Sequence, residues 1–293
     1  MDKTEPRMNI QRIPTFETET ALKAMHPLDQ ATALEKLAPE RLAGRTTSHY
    51  TNMGGMFGGF TAAVLMRAVM EDDRRQGAPI ALTVNYCAAL TEGDFEIACR
   101  ERRTGKSTQH WSLELTQSGK VAATASVVCG MRREVWSHVT AHPPAIAPAD
   151  QVPVFDFGNR FGWLSSYEMR FAKGEVDFTS REPNANLREP VTQVWMRDKP
   201  NRPLDYVSLA ALSDAFIIRA FVVRNVFVPV GTVSLTTFFH AGEDQMKAQG
   251  SDPLLGHATA HIFAGGFFDQ AAELWGKDGR LLATSTQIVW YKE

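Results

Sequence analysis

Two stretches of this sequence are apolar on nearly every side. The first, FTAAVLMRAVMEDD from Phe60, keeps no polar face until its last turn. The second runs from Tyr206 to Val223, with Asp205 standing where an N-cap belongs. A helix without a polar face has to be enclosed by protein. Around these helices the pattern changes to short runs of β character bounded by turn residues. Ile80–Ala88, Asp94–Arg103, Thr108–Gln117 and Lys120–Arg132 follow the first helix, with Thr104-Gly105 and Ser118-Gly119 at two of the turns. Tyr167–Lys173 and Val191–Asp198 precede the second helix. Gly231–His240, His257–Ala264, Asp269–Gly276 and Arg280–Tyr291 follow it. A short helix over Leu22–Leu37 and a short strand over Arg45–Tyr50 are expected ahead of the first helix.

The same order of elements in both halves points to duplication. GKVAATASVVCG from Gly119 matches GRLLATSTQIVW from Gly279, 160 residues later, with Ala123 on Ala283, Thr124 on Thr284 and Val127 on Gln287. Consecutive strands with hairpin turns make antiparallel sheets, and an all-apolar helix needs a sheet around it. The expected class is α+β: two tandem curved antiparallel sheets, each wrapped around a central helix. Pro143, Pro144, Pro148 and Pro153 lie in a stretch without periodicity, which reads as a linker. The expected boundaries are a first domain over 1–140, a linker over 141–160 and a second domain over 161–293.

Composition narrows the function classes. The 31 Lys and Arg nearly balance the 33 Asp and Glu, and no basic stripe is visible, so nucleic acid is not an expected partner. The N-terminal twenty residues are charged and lack the apolar core of a secretory signal. Neither apolar run reaches the length of clean hydrophobic sequence needed to span a membrane. Cys87, Cys99 and Cys129 lie far apart and form no C-x-x-C pair, which argues against a disulfide framework and a Cys-based zinc site. A cytoplasmic protein is expected.

A few residues break the apolar pattern. Asp214 lies inside VSLAALSDAFIIRAF, where an ionised carboxylate costs several kcal/mol unless it is paired or hydrogen-bonded. Either it is aimed into a pocket to bind or activate water, or a nearby amide, serine or Arg219 satisfies it. Gln287 shares its strand face with Leu281, Ala283, Ser285, Val289 and Tyr291, so its amide needs partners. Thr232 is ordinary for a strand, and alternation sets it with Ser234 and Thr236, away from Val233, Leu235 and Phe239. A bulge near Gly231 would re-aim it. The glycines from Gly54 to Gly59 either present helix-terminal N–H groups to an oxygen or let the helix pack closely. Arg102, Arg103 and Lys106 at a turn suit either a phosphate or solvent. His257 and His261 sit four apart on a strand-like run, a spacing that suits metal only on a helix, so no metal site is expected. No G-x-S-x-G elbow or P-loop is present.

Taken in order, several segments resemble the type II acyl-CoA thioesterases and their relatives. They are Met56-Phe57-Gly58-Gly59, PLDYVSLAALSDAF at Pro203–Phe216, GTVSLTTFFHA at Gly231–Ala241, and FFDQAAELWGKDGRLLATSTQIVWYK at Phe267–Lys292. The resemblance runs from about the first strand to the C-terminus. It implies a double hot-dog fold. It also implies that Asp214, Thr232 and Gln287 hold the water that attacks an acyl-CoA thioester. Under that resemblance Phe57, Gly58 and Gly59 meet the substrate, and the oxyanion is met by N–H groups of Gly58 or Gly59 or by the Gln287 amide. No cofactor is implied, and a homodimer or larger homo-oligomer is expected. Two other functions suit the same fold: a non-catalytic acyl-CoA binder, and an enoyl-CoA hydratase. The hydratase would call for an Asp–His pair with the His on the helix, and neither apolar run contains a His.

Overall fold

The computed structural model describes residues 25–293 apart from 159, 180 and 181. The charged N-terminal twenty residues and the start of the helix expected over Leu22–Leu37 lie outside the described residues. The rest of that expectation is corrected. Only Pro27–Ala31 is helical, and the chain then forms a hairpin of β1 (Glu35–Ala38) and β2 (Arg41–Arg45). The strand expected over Arg45–Tyr50 is a 3-10 turn at Ser48–Tyr50, and a two-residue hairpin follows, β3 (Thr51–Asn52) with β4 (Gly55–Met56).

The first apolar run is a helix over Gly58–Met70 with ten of its thirteen residues buried. Four long strands follow: β5 (Ala78–Tyr86), β6 (Asp94–Thr104), β7 (Thr108–Gln117) and β8 (Lys120–Gly130). After an irregular stretch come a one-turn helix at Gly162–Ser165, β9 (Tyr167–Lys173) and β10 (Thr192–Asp198). The second half closes with β11 (Val230–Phe239), β12 (Leu254–Thr259), β13 (Phe263–Ala264), β14 (Phe267–Trp275) and β15 (Leu281–Tyr291). A helix over Glu243–Gln249, not evident in the pattern, joins β11 to β12.

Two expectations change here. The sheets are not separate. β5 pairs antiparallel with β11, so one continuous sheet runs β1-β2-β6-β7-β8-β5-β11-β15-β14-β12-β10-β9. Edge strands left open at this seam would invite foreign pairing, and each half closes the other's edge. The second apolar run is also not one helix. It breaks into Tyr206–Leu212, entirely buried, and Arg219–Arg224. Asp205 caps the first piece as expected, accepting from Ser208 N–H at 2.8 Å. Two serine hydroxyls act at the break, one local and one from a distant strand. Ser213 Oγ donates back to the Leu209 carbonyl at 2.8 Å, and Ser285 Oγ takes the Ser213 carbonyl at 3.0 Å. Asp214 and Ala215 N–H then bond three residues back, to Ala211 and Leu212, so the helix tightens and unwinds.

Strand order on the two sides of the seam is mirrored: β8 lies between β7 and β5, and β15 lies between β14 and β11. Thr83 pairs with Thr236 at the middle of the seam, and their hydroxyls lie 3.0 Å apart. Each half carries the same irregularity on the strand next to the seam. The β5–β8 register skips Ile80, and the β11–β15 register skips Val233.

Candidate active site

The helix Gly58–Met70 starts where the two halves meet. Phe57 stands at its N-cap and supplies no side-chain hydrogen bond. The other half supplies one instead. The Asp214 carboxylate lies so close that a β-carbon on Gly58 would sit 2.6 Å from Asp214 Oδ2, and Gly59 N–H hydrogen-bonds to it. The positive end of the helix dipole faces that carboxylate. Asp214 is 8% exposed and stands on the helix break, not within a helix. Burial pushes its pKa up to about 7, while hydrogen bonds from the Gln287 amide and Gly59 N–H hold it down. Tyr86 packs under the same turn, and its hydroxyl donates to the Gly58 carbonyl at 3.0 Å.

Gln287 points inward from β15, opposite Leu235. Its Oε1 accepts from Thr232 Oγ1 at 3.1 Å, which leaves its NH2 for Asp214. Strict alternation would turn Thr232 away. The bulge at Val233 adds one residue, so Thr232 pairs with inward-facing Val289 and joins the face of Leu235. The result is a directed chain: the Thr232 hydroxyl donates to the Gln287 amide, which donates to Asp214.

All three side chains open on one cavity of about 380 Å³ between the halves. Phe57 and Gly58 line it too, and Phe57 stacks on Trp163 with ring centroids 4.5 Å apart. Gly59 does not line it. A β-carbon there would meet the Ala211 carbonyl at 2.5 Å, so this glycine lets the two central helices approach. Its N–H is also taken by Asp214 and is not free for a substrate oxygen. One N–H of the Gln287 amide is likewise taken by Asp214. Phe161, Phe178, Phe216, Ile217 and Phe221 give the cavity an apolar wall. Arg102, Arg103 and Lys106 do not line it. His261 is exposed and bonds Asp269 at 2.6 Å. Among the described residues no group of His, Cys, Asp and Glu side chains forms a metal-holding cluster.

Sequence reasoning missed Gln270, and it named Arg219 only as a possible partner for Asp214, whereas Arg219 bonds Gln270, Thr192 and Ile217 instead. Gln270 lies directly opposite Gln287 in the β14–β15 ladder and lines the cavity. It shares its strand face with Phe268, Ala272 and Leu274, the same kind of polar interruption that flags Gln287. Arg219 is a charge inside an apolar run, and it is fully buried.

Two family profiles match the chain. One, described as the acyl-CoA thioesterase N-terminal domain, covers residues 46–130, and one described as the C-terminal domain covers 141–291. A hot-dog protein of unknown function from Alicyclobacillus acidocaldarius is 41% identical, covers 92% of this chain and 99% of its own, and superposes with a TM-score of 0.86. An acyl-CoA thioesterase II from Mycobacterium marinum shares the fold at 17% identity, with 90% and 96% coverage and a TM-score of 0.69. No curated protein matches the sequence.

Proposed function

The chain belongs to the acyl-CoA thioesterase family, and from that premise we propose that it hydrolyses an acyl-CoA thioester by direct attack of water. One observation carries this reading: a buried carboxylate, Asp214, stands on the wall of a largely apolar cavity, oriented by Gln287 and Thr232. A thioester carbonyl is electrophilic enough to need no covalent nucleophile. Asp214 accepts a proton from water as the water oxygen bonds to the carbonyl carbon, and the carbonyl π pair moves onto its oxygen. The tetrahedral intermediate then collapses. The C–S bond breaks, and the proton on Asp214 passes to the leaving thiolate, giving a carboxylic acid and CoA. A base with a pKa near the working pH suits this task. Thr232 and Gln287 hold the water and the carboxylate in register. The acyl chain lies along Phe161, Phe178, Ile217 and Phe221. A cytoplasmic homodimer or larger homo-oligomer accompanies the reading. Exposed Phe238 and Ile288 on the outer face of the seam support the assembly, and light scattering checks it.

The test is thiol release across acyl-CoA chain lengths, from the native chain and from Asp214→Asn. The variant should fold and lose about 10²–10⁴-fold in turnover, the span of general acid–base catalysis. Undiminished release from Asp214→Asn would overturn the assignment.

A further inference from the structure

We infer that Gln270 is a second catalytic amide, whose Nε2 donates to the carbonyl oxygen of the bound thioester, and that Arg219 is the positioning residue that fixes its orientation. The inference rests on the thioesterase reading and supplies a part that reading lacks. Hydrolysis puts negative charge on the carbonyl oxygen, and preorganised donors aimed at that oxygen are commonly the largest source of rate. Of the donors expected from the sequence, Gly59 N–H and one N–H of Gln287 serve Asp214, so Gln270 adds a donor beside Gly58 N–H and the second Gln287 N–H.

Gln270 is 3% exposed and lies across the ladder from Gln287. Side chains directly opposite in an antiparallel pair start about 4.5–5.5 Å apart, so the two amides reach the same part of the cavity. The orientation of Gln270 follows from chemistry. Arg219 Nε donates to Gln270 Oε1 at 3.0 Å. A guanidinium has donors only, so the amide oxygen must face it. The NH2 is left toward the cavity, and among the described residues it has no hydrogen-bond partner.

Arg219 is itself held on three sides. Besides Gln270, it donates to Thr192 Oγ1 at 2.6 Å and to the Ile217 carbonyl. It forms no ion pair among the described residues. Burial lowers its pKa to about 9, which still leaves it protonated at neutral pH. A buried cation without a carboxylate is costly, a cost that an apolar side chain of similar volume would avoid. Placed behind Gln270, the cation polarises the amide and strengthens its N–H as a donor.

The experiment compares native protein, Asp214→Asn, Gln270→Glu and Arg219→Met. One arm measures steady-state thiol release. The other records the ¹³C shift of a bound ketone analogue of acyl-CoA, labelled at the carbonyl, with CH2 in place of the thioester sulfur. Gln270→Glu keeps the side-chain shape and gives Arg219 an acceptor, so it should fold. It should lose about 10²–10³-fold in kcat with KM little changed, the usual effect of removing one oxyanion donor. Native protein and Asp214→Asn should both move the ketone resonance downfield. That shift should vanish in Gln270→Glu and shrink in Arg219→Met. If Arg219→Met fails to fold, Gln270→Glu alone decides. A full downfield shift and native kcat in Gln270→Glu, beside an inactive Asp214→Asn, would overturn this inference and leave the thioesterase reading standing. No turnover by the native protein on any acyl-CoA would overturn both.

Discussion

At the scale of single residues, Asp214 sets an opposition between stability and chemistry. Its pKa rises from an ordinary 3.8 to about 7 on folding. The folded state therefore binds the extra proton between those values, and stability falls as pH climbs through that window. At pH 8 the ionised carboxylate costs on the order of 4 kcal/mol, at about 1.4 kcal/mol for each pH unit between the two values. Asp214→Asn should accordingly raise the melting temperature at pH 8, and the gain should fade toward pH 4. Melting curves at both pH values check it. Turnover should run the other way, rising with pH to a midpoint near 7, because the base must be ionised. Gln287→Leu removes a hydrogen bond that lowers this pKa, so its pH–rate profile should shift to higher pH. An unmoved profile would mean that Gln287 does not act on Asp214. The adjacent glycines should separate in the same way. Gly58→Ala pushes a methyl at Asp214 Oδ2 and should cut turnover while the protein stays folded. Gly59→Ala meets the Ala211 backbone and should cost about 1–3 kcal/mol of stability, as overpacking does.

At the scale of elements, the part of the site legible in the sequence was the part that violates burial rules. Asp214 and Gln287 interrupt apolar faces, and polar interruptions can be found by period alone. Nine of the ten expected long strands were legible for the same reason, because alternation and turn residues agree along them; the one expected over His257–Ala264 is instead Leu254–Thr259, followed after a break by Phe263–Ala264. Thr232 was not legible from its own pattern. Its face depends on one extra residue, Val233, and a bulge is a property of register between two strands, which periodicity within one strand does not carry. The break at Ser213–Ile218 was hidden likewise. One of the two hydroxyls that act there, Ser285, is 72 residues away in the chain. Gln270 carried the same signal as Gln287, a lone amide on the face of Phe268, Ala272 and Leu274, and could have been found by the same rule. Deleting Val233 would remove the bulge and leave Thr232 two residues before Leu235, so plain alternation would itself keep the hydroxyl inward. Turnover should then persist within a few-fold, and the pairs from Leu235 to Phe239 should hold the sheet together. Loss of thiol release from the folded deletion variant would show that the bulge does more than set the face of Thr232.

At the scale of the whole molecule, the two halves are equivalent in strand order, and the proposed chemistry occupies only one of the two equivalent places. The Thr83–Thr236 pair marks the pseudo-twofold axis, and the bulges at Ile80 and Val233 are its counterparts. At the positions matching Thr232 and Gln287, the first half has Pro79 and buried Val127. One copy is therefore purely scaffold on its own side of the axis. It still enters the site on the other side, because Gly59 of its helix holds Asp214 of the partner half and its Phe57 lines the cavity. The same two central helices pack against each other, and β5 closes the edge of β11. A half alone would expose that helix face and that strand edge together. Cutting the chain within the proline-rich stretch, between Pro143 and Pro144, breaks neither contact. The two fragments expressed separately should show no thiol release, and the same fragments expressed together should form a soluble complex that hydrolyses acyl-CoA. A fragment of residues 144–293 that is active by itself would mean that the first half contributes nothing to the site. Its helix terminus would then be a packing feature that happens to touch the carboxylate.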